Sequence, residues 1–335
     1  MTGHPLLLAS AFDAQSELRV IDVADPLKPQ PLCSLRQADG GRFTSATRIA
    51  FWHGKTLGAA DLNTGSISSS ERLQGKPGLG AFSRDGSAFA YRLMTDQGWT
   101  THLYVGGRDR TLVTVGPIGG HGGPPYGPAD QLEFSADGQY LLDASLFMPS
   151  LGPAQFTVYR VDGSVAFQSA EGEFGAWSPT GSTLYFLRGQ IPADINGDLH
   201  RWAPSTGEVT VLKGLTGFFW PAVAPDGKSI VFNRYDRSAP SEATGGLPHL
   251  WQIDLGRKTQ TQISPAVTSN PLFVSPRLIW SDEEERCECG PGGASAPNGR
   301  VIAHDLVGRQ DLVVDLGALS MGPRPLAFVL DVRPD

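Results

Sequence analysis

Charged residues are scarce in this chain, and no stretch of it is strongly basic. Of its 335 residues, 27 are lysine or arginine and 34 are aspartate or glutamate, so the net charge is −7. A general nucleic-acid-binding surface needs a basic stripe that releases counterions from phosphates. The composition therefore excludes nucleic acid as a general partner. With 40% hydrophobic residues, the chain also differs from a disordered polyelectrolyte.

Long hydrophobic runs are missing as well. The apolar run near the start, residues 6–9, is far shorter than the roughly 20 residues that cross a bilayer as a helix. Residues 1–5 lack the basic segment that opens a secretory signal. We therefore expect no transmembrane segment. The expected location is periplasmic or extracellular if a signal was trimmed, and cytoplasmic otherwise.

Cysteine is the third scarcity. The three cysteines, Cys33, Cys287 and Cys289, are too few for a disulfide framework. Cys33 lies in an apolar segment, where we expect a buried residue that behaves as a small hydrophobe. Cysteine usage leaves the redox compartment open.

Turn-forming residues, in contrast, are abundant, with 41 glycines and 26 prolines. They form part of a repeat that recurs every 43 to 52 residues. Its clear copies are Ala81–Gly86, Glu133–Gly138, Ala176–Gly181 and Val223–Gly227, with a degenerate copy at Phe273–Arg277. In each clear copy, small and apolar residues precede a tight turn. Most copies carry Asp-Gly there, in which aspartate bonds nearby backbone and glycine supplies a positive φ.

Each turn is followed by three more strand-like segments, and no helical periodicity is present. Four antiparallel strands every 40–50 residues predict the blades of an all-β propeller. We predict one domain over residues 1–335 with seven four-stranded blades, and a six-bladed ring is the alternative. In the seven-bladed arrangement, the C-terminal strand joins the N-terminal blade and closes the ring. The predicted blades are 1–40 with 324–333, 41–74, 79–116, 130–170, 173–213, 217–264 and 270–316.

The repeated turn and the strand after it resemble the WD40-like PD40 repeats of the TolB-type β-propeller family. The resemblance is good over residues 79–280 and weak at both ends. It implies an extracytoplasmic, often envelope-associated role. The motif is specific for the fold and says little about activity, because propellers host many functions.

The long connections predict where a functional surface lies. They follow second strands or join blades, whereas the turns after first and third strands are short. Long ordered loops often carry function. We therefore expect a face that binds a protein, peptide or glycan partner, on a chain that is a monomer. The candidate residues on this face are His121, Tyr126, Asp130, Glu173, Trp220 and His249.

Two segments offer possible metal ligands, although no cofactor is firmly predicted. Asp194, Asn196 and Asp198 have the alternating oxygen ligands of a calcium loop, and an ordinary Asx-rich turn is the alternative. Cys287 and Cys289 could give two thiolates to a soft divalent metal, and a disulfide or free thiols are the alternatives. The acidic run Asp282–Glu285 between these regions is expected to be a solvated loop.

The leading functional interpretation is a non-enzymatic binding or scaffold propeller. The alternative is a metal-assisted hydrolase, lactonase or lyase centred on the channel, which requires several His, Asp, Glu or Asn side chains to converge. The seven histidines are scattered, and no repeated motif places one in every blade. This distribution favours the binding interpretation.

Overall fold

The computed structural model describes residues 6–10, 16–95, 98–115, 131–145, 155–169, 172–190, 196–216, 219–236, 247–286, 295–316 and 329–333. All regular structure in these ranges is β-strand, as the sequence predicts. Nothing in the described part of the chain is a helix of the length and apolarity that crossing a membrane requires.

The strands group into six antiparallel sheets, A to F, each built mainly from neighbours in sequence. Sheet A contains β1 (Leu6–Ser10), β2 (Glu17–Asp22), β3 (Gln30–Arg36) and the C-terminal β27 (Val329–Arg333), and sheet B contains β4 (Gly40–Ser45), β5 (Arg48–His53), β6 (Thr56–Asp61) and β7 (Ile67–Glu71). Sheet C contains β8 (Leu79–Phe82), β9 (Ala88–Thr95), β10 (Gly98–Val105) and β11 (Arg108–Val115), and sheet D contains β12 (Gln131–Phe134), β13 (Tyr140–Ser145), β14 (Gln155–Arg160) and β15 (Val165–Ser169). Sheet E contains β16 (Gly172–Trp177), β17 (Leu184–Gln190), β18 (Asn196–Ala203) and β19 (Gly207–Thr216), and sheet F contains β20 (Phe219–Val223), β21 (Ser229–Asp236), β22 (Leu247–Asp254), β23 (Thr259–Ser275), β24 (Leu278–Arg286), β25 (Ser295–Asp305) and β26 (Gln310–Val314).

Sheet A is completed by the C-terminal strand. Its order is β27-β1-β2-β3, and Leu7 of β1 lies opposite Val332 of β27. The last strand therefore joins the first sheet, as expected. At the other edge, Cys33 is exposed on β3, which corrects the expectation that it is buried. Pro31, on the same strand, is tolerated because an edge strand has unpaired N–H positions.

Sheet F is continuous across what the sequence divides into two blades, 217–264 and 270–316. The 17-residue β23 pairs with β22 through its first half and with β24 through its second half. One strand thus serves as the fourth strand of one meander and the first strand of the next. The sequence conceals this continuity because Pro265 and Pro271 are typical turn residues.

The repeated turns between first and second strands are held by side chains. In sheet D, the Asp137 carboxylate accepts hydrogen bonds from the Ser135 hydroxyl at 2.6 Å, the Gln139 N–H at 3.1 Å and the Ser182 hydroxyl. Burial alone would raise the pKa of Asp137, but these hydrogen bonds together lower it. Gly138 follows with a φ of 71°, a conformation that favours glycine. The turn chemistry inferred from the sequence is therefore the chemistry observed.

The sheets pack face to face through apolar clusters. One cluster joins sheets D and E through Leu142, Phe156, Trp177 and Phe186. Another joins sheets A and F through Leu7, Ile21, Trp280 and Val301. At about 25 cal/mol per Å² of apolar surface removed from water, such contacts supply the main stabilising term.

The described chain divides into two compact units. One takes in Gln37–Ala193 and Leu199–Thr210, and it contains sheets B, C and D together with most of sheet E. The other takes in Thr2–Arg36, Asp194–Asp198 and Val211–Asp335, and it contains sheets A and F. Sheet F carries the candidate site described below, which lies within this second unit.

The Asp137 turn predicts a defined acid sensitivity. Because the folded-state pKa of Asp137 lies below its unfolded value, its stabilisation is complete above the unfolded pKa of about 3.9 and is lost as pH falls through the folded pKa. We expect D137N to lower the free energy of unfolding by about 1 kcal/mol at pH 7, a value discounted for the exposure of this turn.

Urea unfolding of the wild type and D137N between pH 7 and pH 2.5 or so measures this effect. The difference between the two proteins should shrink as the wild-type carboxylate protonates. The matched control is D226N at the equivalent turn of sheet F, where the carboxylate accepts the Lys228 N–H at 2.9 Å and is half exposed. A difference in the free energy of unfolding that stays constant with pH would show that the charge on Asp137 does not contribute to stability.

Candidate functional site

Most of the residues that the sequence nominates lie outside the described part of the chain. These are His121, Tyr126, Asp130, Asp194, Cys287 and Cys289. Glu173 lies within β16 and Asn196 begins β18, and for both only the backbone is described. Asp198 is described: it is half-buried in β18, and its carboxylate accepts the Gly214 N–H at 3.0 Å. Their roles in binding or metal ligation remain predictions.

Two of the nominated residues, Trp220 and His249, lie on sheet F. Both are near what we call its long-loop end, where β20 begins, β21 ends and β22 begins. Trp220 is half-buried and has a φ of 45°, an outlying conformation for a bulky residue. It sits in a bulge, since the register of β20 against β21 shifts between Phe219 and Ala222. Bulges and strained backbone commonly mark positions where a side chain is re-aimed.

His249 forms part of a half-buried group with Arg234 and Trp251. His249 lies opposite Arg234, and Trp251 lies opposite Phe232, two residues before Arg234 on the same strand. Because alternate residues share one face of a strand, the three side chains project from one face. The Arg234 guanidinium carbon is 4.6 Å from the centroid of the Trp251 ring, within cation–π range. His249 Nδ1 lies 3.1 Å from the Ala266 carbonyl oxygen, which fixes the ring.

The opposite face of β21 carries a buried polar residue that sequence reasoning missed. Asn233 is fully buried, and its amide nitrogen donates to the Thr268 carbonyl oxygen at 2.5 Å. Its Oδ1 atom and the Thr268 hydroxyl are buried without a hydrogen-bond partner. The feature of the sequence that could have indicated this buried residue is a single asparagine directly after the apolar run Ile230–Phe232.

The acidic run Asp282–Glu285 is a second departure from expectation. It belongs to β24 rather than to a solvated loop, and both Asp282 and Glu284 are buried. The Asn270 amide donates to Asp282 Oδ2 at 2.9 Å. Glu283 projects from the other face, where the Asn298 amide and the Arg300 guanidinium bind it. Alternation along a strand explains why an acidic run can be half buried. Across the described ranges, no three His, Cys, Asp or Glu side chains form a group that could hold a metal.

A Ser–His–Asp arrangement also lies in sheet F. The Ser281 hydroxyl is 2.5 Å from His304 Nε2, and His304 Nδ1 is 2.7 Å from Asp311 Oδ1. These contacts have the connectivity of a nucleophilic triad. However, Ser281 has no exposed surface and His304 is 1% exposed, so a substrate cannot reach the hydroxyl. The arrangement ties β24, β25 and β26 together.

The same pairing of a histidine with a carboxylate occurs in sheets C and E, which supports a structural role. His102 Nδ1 lies 3.2 Å from Asp109, and His200 Nδ1 lies 2.7 Å from Glu208. In each case the histidine is on the third strand and the carboxylate is on the fourth. The spacing of seven or eight residues between each pair was present in the sequence. Three of the histidines that look scattered therefore occupy related positions.

Comparisons with known proteins define the class of fold. No family model matches the chain, and no curated protein matches it. Among solved structures, tricorn protease aligns over 93% of this chain and 34% of its own chain, with a TM-score of 0.57 and 11% identity. An oligogalacturonate lyase in complex with manganese aligns over 90% of both chains, with a TM-score of 0.57 and 13% identity. Together with the repeated four-stranded meanders, these likenesses define a β-propeller fold.

TolB from Acinetobacter baumannii is a third similar structure. It aligns over 77% of this chain with a TM-score of 0.43 and 17% identity. The present chain spans 62% of the TolB chain, and only about a third of tricorn protease. The likenesses to tricorn protease and to the lyase describe the fold alone, and function must be argued from the site.

The structural interpretation of His304 leads to a stability prediction. H304A should lower the free energy of unfolding by about 2–4 kcal/mol, because it leaves a cavity and removes the partner of Ser281 and Asp311. Guanidinium unfolding at pH 7 measures the loss. H53A is the control, since the His53 side chain is 42% exposed and lies 3.5 Å from Asp39; it should cost less than about 1 kcal/mol. Equal losses in the two variants would contradict the proposed tie between strands.

Proposed function

We propose that the chain is a single seven-bladed propeller that acts as a binding scaffold for a protein or peptide. In this proposal, β23 counts as a strand of two blades, which makes sheet F two blades and the total seven. The pairing of β27 with β1 supports closure of the ring by the C-terminal strand. A closed ring would leave only short, protected strand edges.

The observation that carries the binding proposal is the group of Arg234, His249 and Trp251 near the long-loop end of sheet F, with Trp220 in a bulge of the adjacent strand β20. Tryptophan and arginine are the residue types most enriched among side chains that dominate binding energy. Stacking of Arg234 on Trp251 fixes a side chain that would otherwise lose rotamer freedom on binding. The group is half-buried, so it has both a fixed position and accessible surface.

The two ends of sheet F differ in a way that supports this assignment. At the short-turn end, the Asp226 carboxylate accepts the Lys228 N–H, and the Ser229 hydroxyl accepts from the Gln252 amide. At the long-loop end, Trp220 is held in an unfavourable backbone conformation that costs about 1–3 kcal/mol. Lys258 and Arg309 also have positive φ, but they lie in short turns, whereas Trp220 lies in a strand bulge. Strain within a strand supports a position under functional constraint.

A site-specific photo-crosslinking experiment tests the proposal. A photoreactive phenylalanine analogue replaces Leu247 in one variant and Lys228 in the other, and each full-length protein is irradiated in extract of the source organism. Leu247 lies two residues before His249 on the same face of β22, and its replacement leaves Arg234 in place. Lys228 is the control because it lies at the opposite end of the same sheet, where its side chain is 82% exposed. We expect a discrete adduct from position 247 only.

The partner identified by mass spectrometry is then titrated against R234A, W220A and K228A. R234A and W220A should each weaken binding about tenfold or more, and K228A should not change it. Equal adducts from both positions, or equal affinities of all three variants, would contradict the proposal. A response on a glycan array that is lost in R234A, without a protein adduct, would instead assign a glycan partner. Turnover in a hydrolase or lyase screen that R234A abolishes would favour the enzymatic alternative.

A further inference from the structure

A second site emerges on the other half of sheet F, near the long-loop end of β24. Asp282 has no exposed surface and Glu284 is 6% exposed, so two carboxylates are buried two residues apart on one strand. Their burial alternates with that of Glu283 and Glu285. Both carboxylates therefore project from the same face of β24.

An unpartnered hydroxyl points to a ligand on this face. Ser269 of β23 lies directly opposite Asp282, so their side chains share a face of the sheet. Ser269 has no exposed surface, and its hydroxyl has no hydrogen-bond partner. An unsatisfied buried hydroxyl destabilises the folded protein. Such a group beside buried carboxylates is explained if a bound species takes the hydroxyl oxygen as a ligand.

The backbone next to Ser269 brings a further oxygen-bearing side chain to the same place. Asn270 has a φ of 51° and sits in a bulge, since the register of β23 against β24 shifts between Ser269 and Leu272. Its amide nitrogen faces Asp282, which it donates to at 2.9 Å. A bulge that re-aims an asparagine onto a buried aspartate is an organised feature rather than a loose loop.

The chemistry of the group selects the ligand class. Carboxylate, hydroxyl and amide oxygens are the donors of hard divalent cations, and calcium tolerates such a mixed and irregular set. Two carboxylates supply the charge that a divalent cation neutralises. Sulfur and imidazole, which would favour zinc or copper, do not take part in this group.

We propose that Asp282, Glu284 and Ser269 form a calcium-class cation site, with Asn270 holding Asp282 in place and waters completing the coordination. Trp280 projects from the same face of β24 and packs in the apolar cluster shared by sheets A and F. The cation would thus lie at the edge of the packed core of the second unit. It would stabilise the ends of β23 and β24. This site is separate from the partner-binding group, so either proposal can fail without the other.

Terbium luminescence excited through tryptophan tests the site in the full-length protein after chelator treatment, because Trp280 lies two residues from Asp282 on the same face. We expect sensitised emission that calcium displaces, and a melting temperature that calcium raises. D282N should weaken terbium and calcium binding about tenfold or more. Wild-type protein with neither emission nor a calcium-dependent melting shift would overturn the proposal.

S269A keeps the test decisive if D282N fails to fold. Removing an unpartnered hydroxyl should leave the cation-free melting temperature unchanged or raised, while the calcium-induced shift becomes smaller. If Ser269 were only structural, S269A would not reduce the calcium-induced shift while leaving the cation-free melting temperature unchanged or raised. If S269A instead leaves the calcium-induced shift at its wild-type value, the proposed ligand set is wrong.

E283Q and D198N are the controls. Glu283 belongs to the same acidic run but projects from the opposite face, where Arg300 lies 3.0 Å away. E283Q should therefore retain wild-type cation affinity, and a loss equal to that of D282N would mean that the run attracts cations nonspecifically. Loss of all calcium binding in D198N with retention in D282N would place the cation at the Asp194–Asp198 segment instead.

Discussion

Face-to-face packing of the sheets is the constraint on which the rest of this structure depends. Both faces of a blade are covered by apolar side chains, as the cluster of Leu7, Ile21 and Trp280 between sheets A and F illustrates. A polar side chain that points from such a face can reach water only near a strand end. Elsewhere it must find its partner on the neighbouring sheet, because an unpaired buried polar group costs several kilocalories.

The described contacts follow this rule within each unit. In the first unit, the Arg92 guanidinium on sheet C binds Asp143 and the Ala144 carbonyl oxygen on sheet D. The Gln131 amide on sheet D donates to the Gly175 carbonyl oxygen on sheet E at 2.8 Å. Such contacts fix the register between packed sheets, since a slip would leave each donor buried and unpaired.

The histidine–carboxylate pairs solve the corresponding problem inside a sheet. His102 stacks on Tyr91 with ring centroids 4.9 Å apart, and the Tyr91 hydroxyl donates to the same Asp109 that the histidine contacts. Burial and then this carboxylate raise the pKa of Tyr91. In sheet F the Ser264 hydroxyl donates to Asp311, the carboxylate that His304 contacts. Ser264 thus takes the role that Tyr91 has in sheet C, which is consistent with a structural tie that tolerates different hydroxyls.

Structural features that depend on neighbouring residues could be predicted from the sequence, whereas features that depend on packing between strands could not. The Asp137-Gly138 turn and its strands were predictable, because the aspartate and glycine that form the turn are adjacent. The positions of Trp220 and His249 near strand ends were predictable from the long connections. The burial of Asp282 was not, since it depends on a bulge in a different strand that aims Asn270 at it. The continuity of β23 was hidden by prolines, whose effect depends on the pairing around them.

The continuity of β23 connects the partner-binding group and the proposed cation site on sheet F. Its Ala266 carbonyl oxygen contacts His249, its Thr268 carbonyl oxygen accepts from Asn233, and Ser269 lies opposite Asp282. Three residues within a four-residue segment of one strand thus face the half-buried aromatic group, the buried amide and a buried carboxylate. A strand paired on both sides deforms less than a loop, so side chains positioned by it keep their geometry. In most propeller blades a connection separates the fourth strand from the next first strand. Here hydrogen-bonded backbone replaces that connection, and it fixes the spacing of two polar groups that separate sheets would leave free to vary.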